Sequence, residues 1–248
     1  MNDLIPIVSV VMSVYNNARY LPAALDSILN QTFKDFRFLL VDDGSTDDSR
    51  SIVQTYAAKD TRIQLIERSN PQENWGLARS LNQLLSQATG EFIARMDADD
   101  ISLPDRFARQ VEFLRQHSEV VCVGSSLNWI DEKGRFVGHC TMPEHNEEIQ
   151  TLLLGGVSML HHPCTMFRRI PVIQLGGYNE SMIASSDLDL WLRLGEVGKL
   201  ANLPETLLLY RLHSQSITNA KQARQSYDAH EACKRAWQRR GIQGRVRP

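Results

Sequence analysis

The 248-residue chain carries a net charge of −2, with 42% hydrophobic and 23% charged residues, the balance of a soluble globular protein of one large domain or one domain with an appendage. Its four cysteines (Cys122, Cys140, Cys164 and Cys233) lie far apart with no CxxC pair, which argues against a zinc site and a disulfide framework and fits a reducing cytosol. No stretch approaches the roughly 18 apolar residues of a spanning helix, and "MNDLIPIVSVV" lacks the basic region and cleavage site of a signal peptide, so the expectation is a cytoplasmic protein.

Short apolar runs alternate with segments of helical period, the mark of an α/β fold with a largely parallel sheet. In chain order, "IPIVSVVMSV" (5–14) reads as a buried strand and "YLPAALDSILNQ" (20–31) as a helix with Leu21, Leu25 and Ile28 on one face. "FRFLLVD" (36–42) is the second strand. "TDDSRSIVQTYAAK" (46–59) is the second helix, with its acids in the first turn, where the helix dipole favours them. "RIQLIE" (62–67) is a third strand, and "WGLARSLNQLLSQA" (75–88) a helix with Ala78, Leu81, Leu85 and Ala88 as its stripe. "EFIARMD" (91–97) is a fourth strand, "LPDRFARQVEFLRQ" (103–116) a helix with proline near its start, and "EVVCVGSSLNWI" (119–130) a further strand. Beyond about residue 131 the rhythm weakens and "DLDLWLRLGE" (187–196) reads as a helix; this half is expected to complete the same sheet.

Two acid clusters stand at strand ends: Asp42 and Asp43 in "FLLVDDGST", and Asp97, Asp99 and Asp100 in "FIARMDADD". Like charges brought together cost free energy unless something positive sits among them. In open α/β sheets ligands bind beyond the carboxyl ends of the strands. A Mg²⁺ or Mn²⁺ ion would reconcile the acids with a diphosphate by taking carboxylate oxygens on one side and phosphate oxygens on the other. The plainer alternative is that these acids start turns, with Ser45 or Thr46 capping the helix that follows. There is no GxxxxGK[ST] loop and no GxGxxG.

These segments, together with "NWGLARSLNQLLSQATGEFIARMDADD", "HHPCTMFRR", "LGGYNE", "SSDLDLWLRL" and "LPETLLLYRLHSQSIT", resemble the family 2 glycosyltransferases over residues 5 to about 219. The resemblance implies a GT-A fold: a single Rossmann-like, mostly parallel sheet flanked by helices, with a C-terminal helical tail. It divides the chain into a domain over 1–219, of which about 1–100 is the nucleotide-binding half and about 101–219 the acceptor and catalytic half, and a basic tail over 220–248. It also implies an inverting transfer of sugar from a nucleoside diphosphate donor, UDP above all, to a saccharide or lipid-linked saccharide, of the kind used to build surface polysaccharides.

Carried over residue by residue, Val14, Tyr15 and Asn16 would line the nucleotide pocket, Asp43 would accept from the base and Arg79 would lie beside the base or phosphates. Asp97 would contact ribose or metal, and Asp99, second Asp of the DxD pattern, would be the main ligand of Mn²⁺ or Mg²⁺. Asp187 would be the general base, although the family's Glu-Asp reads Ser186-Asp187 here. Against this, Ser185 or Ser186 could simply cap a helix whose first turn holds Asp187 and Asp189. In "YRLHSQS", Arg211 would counter diphosphate charge and His213 could complete the metal site. His161, His162, Arg168 and Arg169 are expected on the acceptor side.

From Lys221 to Pro248 eight Lys/Arg stand against two Asp/Glu, a local charge of +6 that leaves −8 on the remainder. With Ala220, Ala223, Tyr227 and Ala236/Trp237 near helical spacing, the tail suits either an anionic membrane surface or a solvated helix packed on the body. An acidic body without a basic, aromatic-interleaved patch argues against nucleic acid. Two other functions compete: a haloacid dehalogenase-type phosphatase, suggested by "FLLVDDGST", and a nucleotide-sugar binding module without catalysis, suggested by Ser186.

Overall fold

The computed structural model describes residues 5–68, 70, 73–214 and 222–244. The expected βα alternation forms its first half: β1 (Val8–Val14), α1 (Leu21–Leu29), β2 (Phe36–Asp42), α2 (Ser49–Lys59), β3 (Ile63–Leu65), α3 (Leu77–Gln87) and β4 (Phe92–Arg95). There follow β5 (Ile101–Ser102), α4 (Arg106–Gln116), β6 (Val120–Ile130), β7 (Phe136–Cys140), α5 (Asn146–Leu154), β8 (Met166–Arg168) and α6 (Arg169–Gln174). The chain closes with α7 (Ser186–Leu194), β9 (Lys199–Arg211) and α8 (Gln222–Arg239).

Among the described residues the strands form one sheet in the order β3-β2-β1-β4-β8-β6-β9-β5, with β7 added beside β6. It is parallel from β3 to β4, as near-continuous apolar runs require when both faces are covered. β8 then runs antiparallel between β4 and β6, and β6 pairs with β9 in parallel. The second half therefore continues the same sheet. Leu21, Leu25 and Ile28 of α1, Val53 of α2 and Phe107 of α4 fill one face, where alternate residues of β1 and β2 meet them. Leu81 and Leu85 of α3, Ile149 of α5 and Leu190 and Trp191 of α7 fill the other.

Two expectations need correcting. β9, the longest strand, has no counterpart among the elements read from the sequence. Pro204 breaks its pattern, and between Ser125 and Ser126 of β6 its partners jump from Leu203 to Thr206, so Pro204 and Glu205 are bulged out of the ladder. The second helix begins at Ser49, which leaves Asp47 and Asp48 ahead of its first turn. Neither Ser45 nor Thr46 caps it; Asp47 accepts from the Ser49 amide at 2.9 Å and from the Ala18 amide at 3.0 Å, joining the loops after β1 and β2.

α8 is docked on the body, with Ala236 of the expected stripe in the contact but not the stripe's N-terminal part. Ala223 and Tyr227 point to solvent, whereas Ala232, Cys233 and Ala236 are fully enclosed against α5 and α7. Ala220 lies outside the described residues. Several of the basic side chains turn inward as well: Arg239 grips Glu196 at 2.8 Å, and Arg240 donates to Gln150 at 2.7 Å and to the Leu192 carbonyl at 2.9 Å. That leaves less of the tail's charge for an anionic surface. No helix among the described residues is long and apolar enough to cross a membrane.

One buried amide fixes the loop between β4 and α4. Gln31, fully enclosed at the end of α1, donates to the Leu103 carbonyl at 2.8 Å and to Ser102 Oγ at 3.1 Å, and accepts from the Phe107 amide at 3.0 Å. Gln31→Leu leaves the Phe107 amide without its partner and takes one of two donors from the Leu103 carbonyl, which keeps the Arg106 amide at 3.1 Å, at a penalty of about 1–3 kcal/mol for each group left dry. The variant is expected to lose roughly 2–4 kcal/mol of unfolding free energy in urea, and a loss near zero would show that water takes over.

Candidate active site

Beyond the carboxyl ends of β1 and β2 the backbone is held by short polar side chains. Asn16 adopts a left-handed conformation (φ 51°), which Asn tolerates better than most residues. Its amide donates to Ser45 Oγ at 3.0 Å and its side chain accepts from the Thr46 amide at 2.8 Å. Tyr15 is exposed, while the Val14 side chain is fully enclosed in the core. The Val14 carbonyl accepts from the Asp43 amide at 2.7 Å, so Val14 joins the strand ends instead of standing in a pocket wall as expected.

Asp43 is buried and already serves as an acceptor. Its Oδ1 takes Arg68 Nη1 at 2.9 Å and the Trp75 amide at 2.8 Å, and its Oδ2 takes the Gly76 amide at 2.9 Å. One acceptor direction is left on Oδ2. The Trp75 ring in turn lies 3.9 Å from the Arg68 guanidinium carbon and 4.2 Å from that of half-exposed Arg79, close enough for cation–π attraction. Asp42 is buried too, with Arg50 Nη1 at 3.8 Å.

The loop after β4 gathers one carboxylate oxygen each from Asp97, Asp99 and Asp100 within 4.8 Å. The positive charge such a cluster needs comes from two arginines of the chain. Arg95, fully buried in β4, forms an ion pair with Asp97. Arg211, at the end of β9, donates its amide to Asp100 Oδ1 at 2.8 Å and its Nε to the Asp99 carbonyl at 2.8 Å. His213 Nε2 lies 2.8 Å from Asp99 Oδ2, so the ring holds that carboxylate. Burial pushes the Asp100 carboxyl well above the usual range and Asp99 and Asp97 add to the effect, against the Arg211 amide and Arg95. Asp97 is raised by burial and pulled back by Arg95.

The second oxygen of Asp100 is buried without a hydrogen-bond partner. That atom, with two further carboxylates beside it, suits a hard divalent cation that takes oxygen ligands, and so fits Mn²⁺ or Mg²⁺.

A cavity of about 380 Å³ opens beside this loop. Arg95, Asp97, Asp99, Asp100 and Arg211 form one side, and Asp187, at the start of α7, forms another. Burial raises the Asp187 carboxyl, while the Leu188 amide and the Arg95 charge oppose the rise. Val14, Tyr15, Asn16, Asp43, Arg79 and His213 lie outside this lining. Asp189 is a structural acid: it pairs with Arg193 at 2.8 Å, which donates to the Leu175 and Gly177 carbonyls. Ser185 does not cap α7; its hydroxyl donates to the Gln225 carbonyl of α8 at 3.1 Å.

His161 and His162 do line the cavity. Arg168 and Arg169 do not, contrary to expectation: Arg168 donates to the Val120 carbonyl at 2.9 Å and Arg169 to that of Gly90 at 2.9 Å, so both tie β8 and α6 to backbone. The sequence reading had missed Arg95, although a cation inside an otherwise apolar strand, two residues before an acid cluster, was a signal for it. It had also missed Gln225, which reaches the cavity from a helix taken for a tail.

Comparison with known proteins agrees with this geometry. The model of the family described as "Glycosyl transferase family 2" matches residues 9–176. The chain is 32% identical over 217 residues to the O-antigen biosynthesis glycosyltransferase WbnJ of Escherichia coli, covering 86% of this chain and 82% of that protein. It is 32% identical over 216 residues to the amylovoran biosynthesis glycosyltransferase AmsE of Erwinia amylovora, covering 86% and 79%. Among solved structures, S. aureus TarS 1-349 in complex with UDP-GlcNAc superposes with a TM-score of 0.74 at 18% identity over 92% of this chain and 66% of that one. The mannosyltransferase PcManGT from Pyrobaculum calidifontis, in complex with GDP-Man and Mn²⁺, gives 0.68 at 19% identity over 99% and 67%. This chain thus spans about two-thirds of those longer chains, and the likeness shows the expected GT-A fold. The phosphatase reading loses its ground, because Asp42 and Asp43 lie outside the cavity within a matched transferase domain.

His162 generates a pH test. Its Nε2 lies 2.7 Å from the Tyr178 hydroxyl, and burial, with Arg95 adding to it, pushes its pKa well below the ordinary value of about 6.5. With the folded pKa depressed, the contribution of neutral His162 to stability is full above that value. It is lost as the pH falls, because the unfolded chain takes the proton first. Urea unfolding at pH 7 and pH 5 is expected to show a smaller acid loss in His162→Gln than in the parent; equal losses would place the sensitivity elsewhere.

Proposed function

The chain belongs to glycosyl transferase family 2, and from that footing we propose that it moves a sugar, with inversion, from a nucleoside diphosphate sugar to a saccharide or lipid-linked saccharide acceptor. The observation that carries this reading is that Asp187 and the Asp97–Asp99–Asp100 cluster, from opposite parts of the sequence, open onto one cavity. UDP is the leaving group favoured by the resemblance and by the UDP-GlcNAc complex of TarS; the GDP-Man complex of PcManGT makes GDP the next nucleotide to test.

Asp99, Asp97 and the free oxygen of Asp100 would hold Mn²⁺ or Mg²⁺, with His213 steadying Asp99. When bound, such an ion neutralises charge on the diphosphate. Arg211, lining the same side, adds a fixed positive charge there. Asp187 takes the proton of the acceptor hydroxyl as that oxygen attacks the anomeric carbon from the face opposite the diphosphate. Its raised pKa suits a base, and Arg95 helps keep it ionised near neutral pH. Asp43 and Arg79, on the strand-end surface beside the cavity, would receive the base. Such a transfer would proceed at the cytoplasmic side, where nucleotide sugars are made, and a lipid-linked acceptor would bring the enzyme to the inner face of a membrane.

Titration of UDP with Mn²⁺ present is expected to give binding that disappears in EDTA and in Asp99→Ala. Retained affinity in Asp99→Ala would remove the cation from that residue. Asp187→Asn is expected to bind UDP as the parent does while transferring sugar on the order of 10²–10⁴-fold more slowly. A near-parental rate would refute the base assignment, and a parent inactive with every donor and acceptor would favour the binding-module reading.

A further inference from the structure

The segment that delivers Asp187 to the cavity, residues 179–185, has no regular structure, and the helix it enters lacks a side-chain cap. It is held instead by α8. Asp228, on the second turn of α8, is buried, with 2% of its side chain exposed. Its Oδ2 accepts from the Ala184 amide at 2.9 Å, and its Oδ1 pairs with Arg224 Nε at 2.9 Å. One turn earlier on the same face, the Gln225 carbonyl accepts from the Ser185 hydroxyl at 3.1 Å. The two residues so held directly precede Ser186 and Asp187. α8 itself cannot drift, because Ala232, Cys233 and Ala236 are enclosed against α5 and α7. All of this lies beyond the residues matched by the family model.

We propose that Asp228 is a positioning residue for transfer: through the Ala184 amide it fixes the entry of α7 and thereby the place of the Asp187 carboxylate in the cavity. The inference rests on the reading of Asp187 as the base. A buried carboxylate holding a backbone N–H makes a short, directional contact, stronger than a neutral bond. A base displaced by about an ångström loses rate steeply. The nucleotide side, formed by the loops after β1, β2 and β4, makes no contact with this clamp among the described hydrogen bonds.

The test measures kcat, acceptor KM, UDP affinity and melting temperature in Asp228→Ala, Asp228→Asn and Ser185→Ala. Asp228→Ala is expected to lower kcat on the order of 10–100-fold with UDP affinity unchanged. Asp228→Asn, whose amide oxygen still accepts from Ala184, is expected to recover most of that loss even though the charge opposite Arg224 is gone. Ser185→Ala removes no cap, so a fall in kcat without a fall in melting temperature supports the clamp if Asp228→Ala does not fold. Equal kcat losses in the Asn and Ala variants would overturn the inference. So would a fully active Asp228→Ala enzyme beside an inactive Asp187→Asn one. A fully active Asp187→Asn enzyme overturns the base assignment, and this inference with it.

Discussion

The acid cluster after β4 depends on the positive groups set around it, above all on Arg95 buried behind it. Three carboxylates within 4.8 Å repel one another, and in a partly buried site water screens little of that repulsion. Arg95 supplies a permanent positive charge from the strand itself, paired with Asp97 and facing the cavity. Its own burial is costly, and the carbonyl of Arg95 is in turn held by Arg106 Nη2 at 2.7 Å. Arg106 is so enclosed that its pKa is pushed down to about 10. The acid least compensated by these groups is Asp100, whose carboxyl burial pushes well up and whose second oxygen has no hydrogen-bond partner.

The same cation reaches across the cavity. Arg95 opposes the rise that burial gives the carboxyls of both Asp187 and Asp97, so one side chain acts on the acid cluster and on the proposed base together. It also helps keep His162 neutral. A charge that lowers both a histidine and its neighbouring carboxyls acts in one direction throughout: it favours negative charge in the cavity and disfavours positive charge.

Much of this was legible in the sequence, and the particular failures are instructive. β1, β2 and β4 announced themselves because parallel strands covered on both faces are continuous apolar runs. The DxD acids, Asp187 and Arg211 were found by motif, and all line one cavity. Asp43 was found as well, but sequence could not say that Arg68, Trp75 and Gly76 already occupy it, because those contacts close between loops distant in the chain. β9 was hidden by the bulge at Pro204. α8 was legible only in part: Ala236 does belong to its docking face, but that face is small and partly polar, built also on Asp228, Ala232 and Cys233, so hydrophobic periodicity pointed as well to Ala223 and Tyr227, which face solvent.

The strand-end loops and the proposed acceptor side of the cavity are consequently stabilised by different means. At the strand ends, loops are joined to one another by side chains reaching backbone amides, as Asn16, Ser45, Asp47 and Asp43 do, and each loop springs from a buried parallel strand. Loops anchored in this way are held by the buried strands beneath them. On the acceptor side, Asp187 stands on a helix whose entry is irregular and whose neighbours, His161 and Gln225, come from segments far apart in sequence. Loops and a docked helix can change without disturbing the strands. The proposed acceptor wall thus rests on loops and a docked helix, and the entry of α7, which presents Asp187, is tied to one buried acid of α8.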